Sequence, residues 1–348
     1  MNSILNKITN SSIPYFIAEI GVNHECSLKN AKKLIDSAKE GGADAVKFQT
    51  YKAEKLAAKK SPYYWDIKKE KTKSQFELFS KFDKFELKDY KVLASYCKKK
   101  NIEFLSTPFD LDAVDFLSPL VKMYKISSSD ITNLPLLKAI ASKKKIIILS
   151  TGASSINEIK NAVKILNKKA KKIILMHCIL NYPTKDKDAN LKMIKSLQEE
   201  FPNCISGYSD HTLPKNDMQN LVTAYLFGAK VIEKHFTLNK KKKGNDHYHS
   251  LDKTDLINFR KKIKSISITL GFDKKKFLNT ELKSRKNARR SIVINRYIKK
   301  GSKITEKDLI CKRPATGISP MQIKKVIGRK VKRNLKSDTI LNWSYLKK

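Results

Sequence analysis

The sequence has little of what marks an exported, membrane-bound or disulfide-stabilised protein. Its 348 residues include five cysteines and no CxxC pair, and an odd, scattered set fits reduced thiols better than a disulfide framework or a zinc site. The first residues lack the apolar core and small-residue cleavage site of a signal peptide. No apolar run approaches the roughly 20 residues that a membrane helix needs. We therefore expect a cytoplasmic protein with no membrane partner.

Arginine is also scarce, although the formal net charge is +40. No arginine precedes Arg260, and the lysines are scattered along the chain. A protein that reads nucleic acids usually uses arginine for bidentate contacts to bases and phosphates. We interpret the lysine excess as a compositional bias and expect no nucleic-acid partner. Nucleic-acid binding, motivated by the charge alone, is kept as an alternative that steep salt dependence would reveal.

Short apolar runs rich in β-forming residues alternate with amphipathic helical segments through residues 1–270. This alternation indicates a parallel sheet, and eight such units match a (β/α)₈ TIM barrel of about 250 residues. An open, doubly wound sheet is the alternative, but it would show a glycine-rich turn after the first strand. The predicted strands are Tyr15–Ile20, Ala43–Phe48, Glu103–Ser106, Met123–Ile126, Ile146–Ser150, Ile173–His177, Ile205–Tyr208 and Lys230–Glu233.

The pattern changes after residue 270. Residues 271–285 read as a charged linker, and residues 286–348 read as a compact α+β module. Within that module the sequence predicts a strand at Arg290–Ile294 and helical structure at Ser319–Ile327. It also predicts short strands at Lys330–Leu335 and Thr339–Trp343. We therefore expect a barrel domain followed by a small C-terminal domain.

Polar side chains occupy nearly every predicted strand end, where barrel enzymes carry their catalytic groups. Lys47 and Lys125 lie within apolar runs, a position that lysine avoids unless an anion or a carboxylate meets it. With nearby hydroxyls they would form a donor-rich site for a phosphate or a carboxylate; the hydroxyls are those of Thr107, Ser128, Ser150 and Ser209. A structural ion pair, such as Lys47 with Glu19, is the plainer alternative. A Schiff-base aldolase with a strand lysine is another.

Two histidines end neighbouring predicted strands. His211 and His235 could converge, and neutral imidazoles suit a divalent transition metal. Glu233 shares a strand face with His235, so it is a possible third ligand or an orienting partner. Asp246 follows the last strand, where a carboxylate could contact a substrate.

Several of these segments together resemble the N-acetylneuraminate synthase family, including legionaminate and pseudaminate synthases. The tail resembles the family's antifreeze-like SAF domain through Ala288–Ser291, Ile298–Gly301 and Lys312–Pro314. The resemblance covers nearly the whole chain in order. In the barrel it rests on Phe16–Gly21, Asn23–His24, Val46–Thr50, Ser106–Phe109, Tyr124–Ser128, Leu149–Gly152, Tyr208–Thr212 and Glu233–Thr237.

The resemblance implies condensation of phosphoenolpyruvate with an amino-sugar aldehyde. It implies a divalent ion on His211 and His235, manganese first, with magnesium or cobalt as alternatives. It implies a domain-swapped homodimer in which Arg313 reaches the partner's barrel and binds the sugar's N-acyl group. The residues implied for phosphoenolpyruvate are Lys47, Thr107, Lys125, Ser128, Ser150 and Ser209. Those implied for the sugar are Glu19, Gln49, Tyr182 and Asp246.

One segment departs from the family pattern. The family often has a polar residue two positions before Tyr182, where this chain has Leu180, and Asn181 is shifted by one. This segment belongs to the expected sugar pocket. The sugar is therefore left open between N-acetylmannosamine and a 6-deoxy-diamino sugar of the legionaminate or pseudaminate kind.

Overall fold

The computed structural model describes residues 3–244 and 246–347, which form two compact units divided between Leu270 and Gly271. The first unit contains eleven of the described helices and the second contains two. The helices are α1 Ser3–Asn10, α2 Leu28–Gly41, α3 Ala53–Leu56, α4 Gln75–Phe82, α5 Leu87–Lys99, α6 Leu111–Leu117, α7 Leu134–Ser142, α8 Ile156–Leu166, α9 Met193–Glu200, α10 Gln219–Leu226, α11 Lys253–Leu270, α12 Leu282–Ala288 and α13 Ile323–Val326. No helix in the described ranges is long and apolar enough to cross a bilayer.

Eight parallel strands form a nearly closed barrel in the first unit. The sheet order is β3-β2-β1-β8-β7-β6-β5-β4, so β1 pairs with β8 and the ends of the sheet, β3 and β4, lie side by side. Pairing of the first strand with the last confirms the barrel, and the open doubly wound alternative is wrong. The strands are β1 Tyr15–Gly21, β2 Ala45–Thr50, β3 Glu103–Pro108, β4 Met123–Ile126, β5 Ile146–Ser150, β6 Lys172–His177, β7 Ile205–Asp210 and β8 Val231–His235.

Alternation along each strand separates two apolar cores. Side chains that point outward pack against the surrounding helices, whereas apolar side chains that point inward fill the barrel. Ile4 and Ile8 of α1 belong to the interior cluster, so α1 covers the N-terminal end of the barrel. The inward positions at the opposite end are polar, which leaves the C-terminal end as the place for a site.

The first arginine of the chain ties a helix to the strand starts. Arg260 on α11 donates from Nε to the Gly42 carbonyl and from Nη1 to the Pro14 carbonyl, each at 2.8 Å. Its remaining nitrogen, Nη2, forms an ion pair with Asp44. Three separate acceptors, each met by a different nitrogen, suit a guanidinium and not an ammonium, so this arginine has a structural role.

The second unit has its own apolar core, built from residues 292–346. Its two strands, β9 Ser291–Ile294 and β10 Leu309–Lys312, are antiparallel. The two strands predicted near the C-terminus are wrong, because Lys330, Val331, Leu335 and Ile340 form isolated bridges only. The residues expected to be a linker, 271–285, belong to this unit and include the start of α12.

Candidate active site

Strand register places the polar residues of the barrel end beside one another. Glu19 on β1 is level with Lys47 on β2 and with His235 on β8. Ser209 on β7 is level with Glu233 on β8. Residues that are level on neighbouring parallel strands point to the same side of the sheet. The register therefore gathers these side chains inside the barrel mouth.

Two lysines and two glutamates form a buried ionic cluster. Lys47 Nζ lies 2.5 Å from Glu19 Oε2, and Lys125 Nζ lies 2.8 Å from Glu233 Oε1. Lys47 is also 3.7 Å from Glu233 Oε1, which joins the two pairs. None of the four is more than 4% exposed. The ion pair of Lys47 with Glu19, the plainer alternative, is present. Glu233, considered as a third metal ligand, instead bridges the two lysines.

The two carboxyl groups have opposite electrostatic environments. Burial raises the pKa of Glu19; the Lys47 ammonium offsets part of that shift, and the charge of Glu233 adds to it. Burial also acts to raise the pKa of Glu233, but Lys125 and Lys47 outweigh it and hold that pKa at about 2. Neighbouring carboxyl groups whose pKa values are pushed apart are typical of acid–base sites. Glu19 is thus the group suited to exchange a proton, and Glu233 the fixed anion.

Hydroxyl groups surround the ionic cluster. Thr107 Oγ1 accepts a bond from Lys47 at 3.2 Å, and Ser209 Oγ donates to Glu233 at 3.1 Å. Ser128 Oγ accepts from the Gly152 amide at 2.9 Å. The buried Ser150 Oγ has no hydrogen-bond partner in the part of the chain that the structure describes. A buried hydroxyl normally has a partner, so Ser150 points to a polar ligand.

Glycine at position 21 leaves room for the side chains of Glu19 and Gln49. Gly21 has φ of +53°, and an added Cβ would lie 3.1 Å from Glu19 Oε1 and 3.3 Å from Gln49 Nε2. Only glycine takes this conformation at little cost and leaves the required space. Gln49 Nε2 in turn donates to Glu19 Oε1 at 3.0 Å, which orients the carboxyl group.

Three imidazoles and a carboxylate lie beside the ionic cluster. The ring centroids of His211 and His235 are 5.7 Å apart, and those of His235 and His249 are 4.7 Å apart. Asp246 Oδ2 is 3.3 Å from His235 Nδ1. Ligand atoms of His235, Asp246 and His249 lie within 4.8 Å of one another. Imidazole nitrogen and carboxylate oxygen are donors that first-row transition metals accept, so these residues fit a divalent ion.

Hydrogen bonding and burial leave His211 ready to bind a cation. His211 Nδ1 lies 2.8 Å from the Ile179 carbonyl. A carbonyl only accepts, so Nδ1 carries the proton and Nε2 keeps its lone pair. Burial lowers the pKa of His211 to about 3, with the neighbouring His235 adding to that effect. Burial also lowers the pKa of His249 well below its usual value.

Two cavities meet at this end of the barrel. The inner cavity lies at the ionic cluster, and the outer cavity, of about 140 Å³, shares Gln49, Tyr182 and His235 with it. Asp246 lies on its wall, and His235 acts against burial to lower the pKa of this carboxyl. Leu180 lines the inner cavity, whereas Asn181 is exposed. One side of the outer cavity is apolar and is formed by Tyr51, Tyr64, Trp65, Leu78, Phe79 and Phe82.

Arg313 belongs to the second unit. It is exposed and follows β10 directly. The structure therefore brings together every predicted site residue of the barrel, and it presents Arg313 on the surface of the other unit.

Sequence reasoning missed three contributors to the site. The first is His249, and its position three residues after Asp246 on the same loop was the available signal. Cys178 Sγ lies 3.1 Å from Ser128 Oγ. The aromatic wall comes from the segment around α3 and α4, where the cluster Tyr63–Trp65 in a lysine-rich stretch was the available signal.

Fold and site define a barrel enzyme with a cationic, hydroxyl-lined pocket beside a group of potential metal ligands. Residues 34–275 match the NeuB family, and residues 289–347 match the SAF domain. The chain belongs to the NeuB family and ends in an SAF domain.

Similar proteins of known name agree with this assignment. The chain is 42% identical to the N,N'-diacetyllegionaminic acid synthase of Campylobacter jejuni over 93% of this chain and 98% of the relative. It is 39% identical to the synthase of the same name from Legionella pneumophila, over 95% and 94%. Among solved structures, the N-acetylneuraminic acid synthetase of Leptospira borgpetersenii is 33% identical, with a TM-score of 0.70, over 79% of this chain and 91% of that one.

Proposed function

We propose that the protein is a sialic-acid-type synthase, which condenses phosphoenolpyruvate with an amino-sugar aldehyde to give a nonulosonic acid and phosphate. One observation carries the proposal: a buried cluster of two lysines and several hydroxyls adjoins a group of imidazoles at the C-terminal end of the barrel. The names of the relatives, legionaminic acid and N-acetylneuraminate-9-phosphate synthases, support it.

Phosphoenolpyruvate matches the donor-rich part of the site. Its phosphate and carboxylate would take charge-assisted bonds from Lys47 and Lys125, with the unpartnered Ser150 hydroxyl as a further donor. Thr107, Ser128 and Ser209 supply the remaining polar surface. Holding both anionic groups fixes the enol carbon relative to the aldehyde, and such positioning accounts for a large share of catalysis.

The reaction needs a group that exchanges a proton with water. The enol carbon attacks the aldehyde, water adds at C2 of phosphoenolpyruvate, and phosphate leaves with cleavage of the C–O bond. Glu19 is buried next to Lys47 and has a raised pKa, which makes it a stronger base than an ordinary carboxylate and suits a general base. We assign this role to Glu19 and the charge-fixing role to Glu233.

A divalent ion fits the imidazole group, and His211 and His235 would hold it. When bound, an ion of the manganese type would act as a Lewis acid on the sugar aldehyde. The Nε2 lone pair of His211 is left available by its bond to Ile179. Tyr182, whose ring is 4.2 Å from that of His211, would line the path of the sugar.

The sugar would occupy the outer cavity beside Gln49, Tyr182 and Asp246. N-acetylmannosamine is the first candidate for the sugar. A 6-deoxy-diamino sugar of the legionaminate kind is the second candidate, because the apolar wall with Trp65 and Phe79 would contact a methyl group and a second acetamido group. The names of the relatives at 39% and 42% identity favour this candidate.

The proposal extends to the oligomeric state of the enzyme and to its place in the cell. We place the enzyme in the cytoplasm as a domain-swapped homodimer in which Arg313 serves the partner's barrel. The exposure of Arg313 on the second unit is compatible with such a contact.

Release of phosphate from phosphoenolpyruvate, measured across a panel of amino sugars, tests the proposal. Turnover with N-acetylmannosamine or a 2,4-diacetamido-6-deoxy sugar is expected, and their ratio decides between the two candidates. No phosphate release with any amino sugar, together with borohydride trapping of a pyruvate adduct on a lysine, would replace the synthase with a Schiff-base aldolase.

A further inference from the structure

His249 is a buried titratable residue for which the proposed reaction has no role. Its side chain is fully buried, and neither ring nitrogen has a hydrogen-bond partner among the described residues. Buried polar groups are nearly always paired, so an unpaired one calls for an explanation such as a bound ion. By contrast, the nearby His247 shares a 2.7 Å hydrogen bond with Thr237.

The loop after β8 holds His249 firmly in this position. The Leu251 amide donates to the His235 carbonyl at 2.8 Å, so the loop returns along the end of β8. Tyr248 Oη donates to the Tyr182 carbonyl at 3.0 Å. Asn23 Nδ2 donates to Ser250 Oγ at 3.2 Å. Contacts on both sides of His249 therefore fix its ring 4.7 Å from that of His235.

The spacing of the donor atoms is close to that of ligands on one ion. One ligand atom each from His235, Asp246 and His249 lies within 4.8 Å of the other two. Ligands about 2.1 Å from a metal lie at most about 4.2 Å apart. Small side-chain rotations would close the difference. His211 stands on the other side of His235, with a ring separation of 5.7 Å.

We propose that His249 is a third imidazole ligand of the divalent ion and joins His211 and His235, with Asp246 beside them. The inference rests on the proposed function in taking His211 and His235 as ligands. A nitrogen-rich set favours transition metals over magnesium, which prefers oxygen ligands. Magnesium should therefore be a poor substitute for manganese or cobalt in this chain.

Metal affinity provides the test. His249→Leu removes both nitrogens and keeps much of the volume, whereas His247→Leu makes the same change two residues away. Loss of a group that merely orients a ligand lowers metal affinity about 10- to 100-fold, so His249→Leu should lose at least that much. Titration with Mn²⁺ and Co²⁺ by calorimetry measures the effect. Wild-type affinity in His249→Leu, or an equal loss in both variants, would overturn the proposal.

Two further readouts separate ligation from a structural role. Pulsed EPR of the Mn²⁺-loaded protein should show one coupled imidazole nitrogen fewer in His249→Leu than in wild type. In the presence of a chelator, the unfolding temperature of His249→Leu should equal or exceed that of wild type, because the substitution removes an unpaired polar group. If His249→Leu fails to fold, His249→Gln serves in its place. A metal-dependent rise in unfolding temperature that persists unchanged in the variant would count against ligation.

The same measurements distinguish this inference from the proposed function. If His211→Ala loses the metal and His249→Leu keeps it, His249 is not a ligand and the proposed function stands. If wild type binds neither Mn²⁺ nor Co²⁺ yet releases phosphate with an amino sugar, both metal assignments fail and the synthase reaction stands.

Discussion

Replacing Lys125 by methionine tests the site most directly. Methionine keeps the unbranched, apolar stem of the side chain and removes the ammonium that lies 2.8 Å from Glu233. Two effects should follow, one on folding and one on the affinity for phosphoenolpyruvate, and they have different sizes.

The effect on folding follows from the carboxylate that is left behind. Removing one partner of a buried ion pair costs about 3–5 kcal/mol. Glu233 keeps Lys47 at 3.7 Å and the Ser209 hydroxyl at 3.1 Å. We therefore expect a loss of about 3 kcal/mol in the free energy of unfolding, at the lower end of that range.

The effect on binding follows from one lost charge-assisted contact. Such a contact contributes about 1.5–3 kcal/mol. Since 1.4 kcal/mol corresponds to a tenfold change, the dissociation constant of phosphoenolpyruvate should rise about 10- to 150-fold. The same loss should persist when Glu233→Gln is added, although that second change should recover most of the folding stability.

Calorimetric titration with phosphoenolpyruvate and urea unfolding measure the two effects separately. Lys145 is the matched control: it directly precedes β5, at the other end of the barrel, and donates to the Val121 carbonyl at 2.6 Å. Lys145→Met should leave the affinity for phosphoenolpyruvate unchanged. If Lys125→Met binds phosphoenolpyruvate as tightly as wild type, in either background, the lysine is purely structural and the assigned binding site is wrong.

Three further changes test other parts of the structure. His211→Ala should abolish turnover and leave the fold intact; full activity of this variant after exhaustive chelation would refute a metal requirement. Arg313→Ala should raise the Michaelis constant for the sugar and spare that for phosphoenolpyruvate. Mixing it with His211→Ala should restore activity only if Arg313 serves the partner's barrel, so no restoration would exclude a swapped dimer. Burial lowers the pKa of His24 to about 4. Between pH 6.5 and 4 the unfolded chain therefore binds a proton at His24 that the folded chain does not. The free energy of unfolding should fall by about 3 kcal/mol over this range. His24→Asn should lack this loss in urea unfolding at the two pH values, and an equal loss in both proteins would rule out His24 as the cause.

Local pattern was sufficient to predict the barrel and much of its mouth. Each strand is a short apolar run followed by polar residues, and each is separated from the next by a helix of the right length. Lys47 and Lys125 stand out because a charge within an apolar run needs a partner. These features depend on neighbours in the chain, so one sequence displays them.

Two parts of the candidate site depend on contacts that local pattern does not reveal. Lys125 meets Glu233 across 108 residues of sequence, and only the closure of the sheet around β1 and β8 brings their strands into one ring. His249 joins His235 because the loop after β8 folds back along it. The order of residues along a loop does not determine this return.

The sequence by itself determined the repeating β/α architecture, the polar strand ends and the need of two lysines for anionic partners. Tertiary structure alone decided which carboxylate each lysine meets and that the segment around α3 and α4 supplies an aromatic wall. It also decided that both ring nitrogens of His249 are buried without a hydrogen-bond partner among the described residues. Periodicity records whether a side chain is buried, because burial repeats with the helix or strand. It does not record which other buried side chain it faces, because that depends on register and on loop paths across the whole barrel.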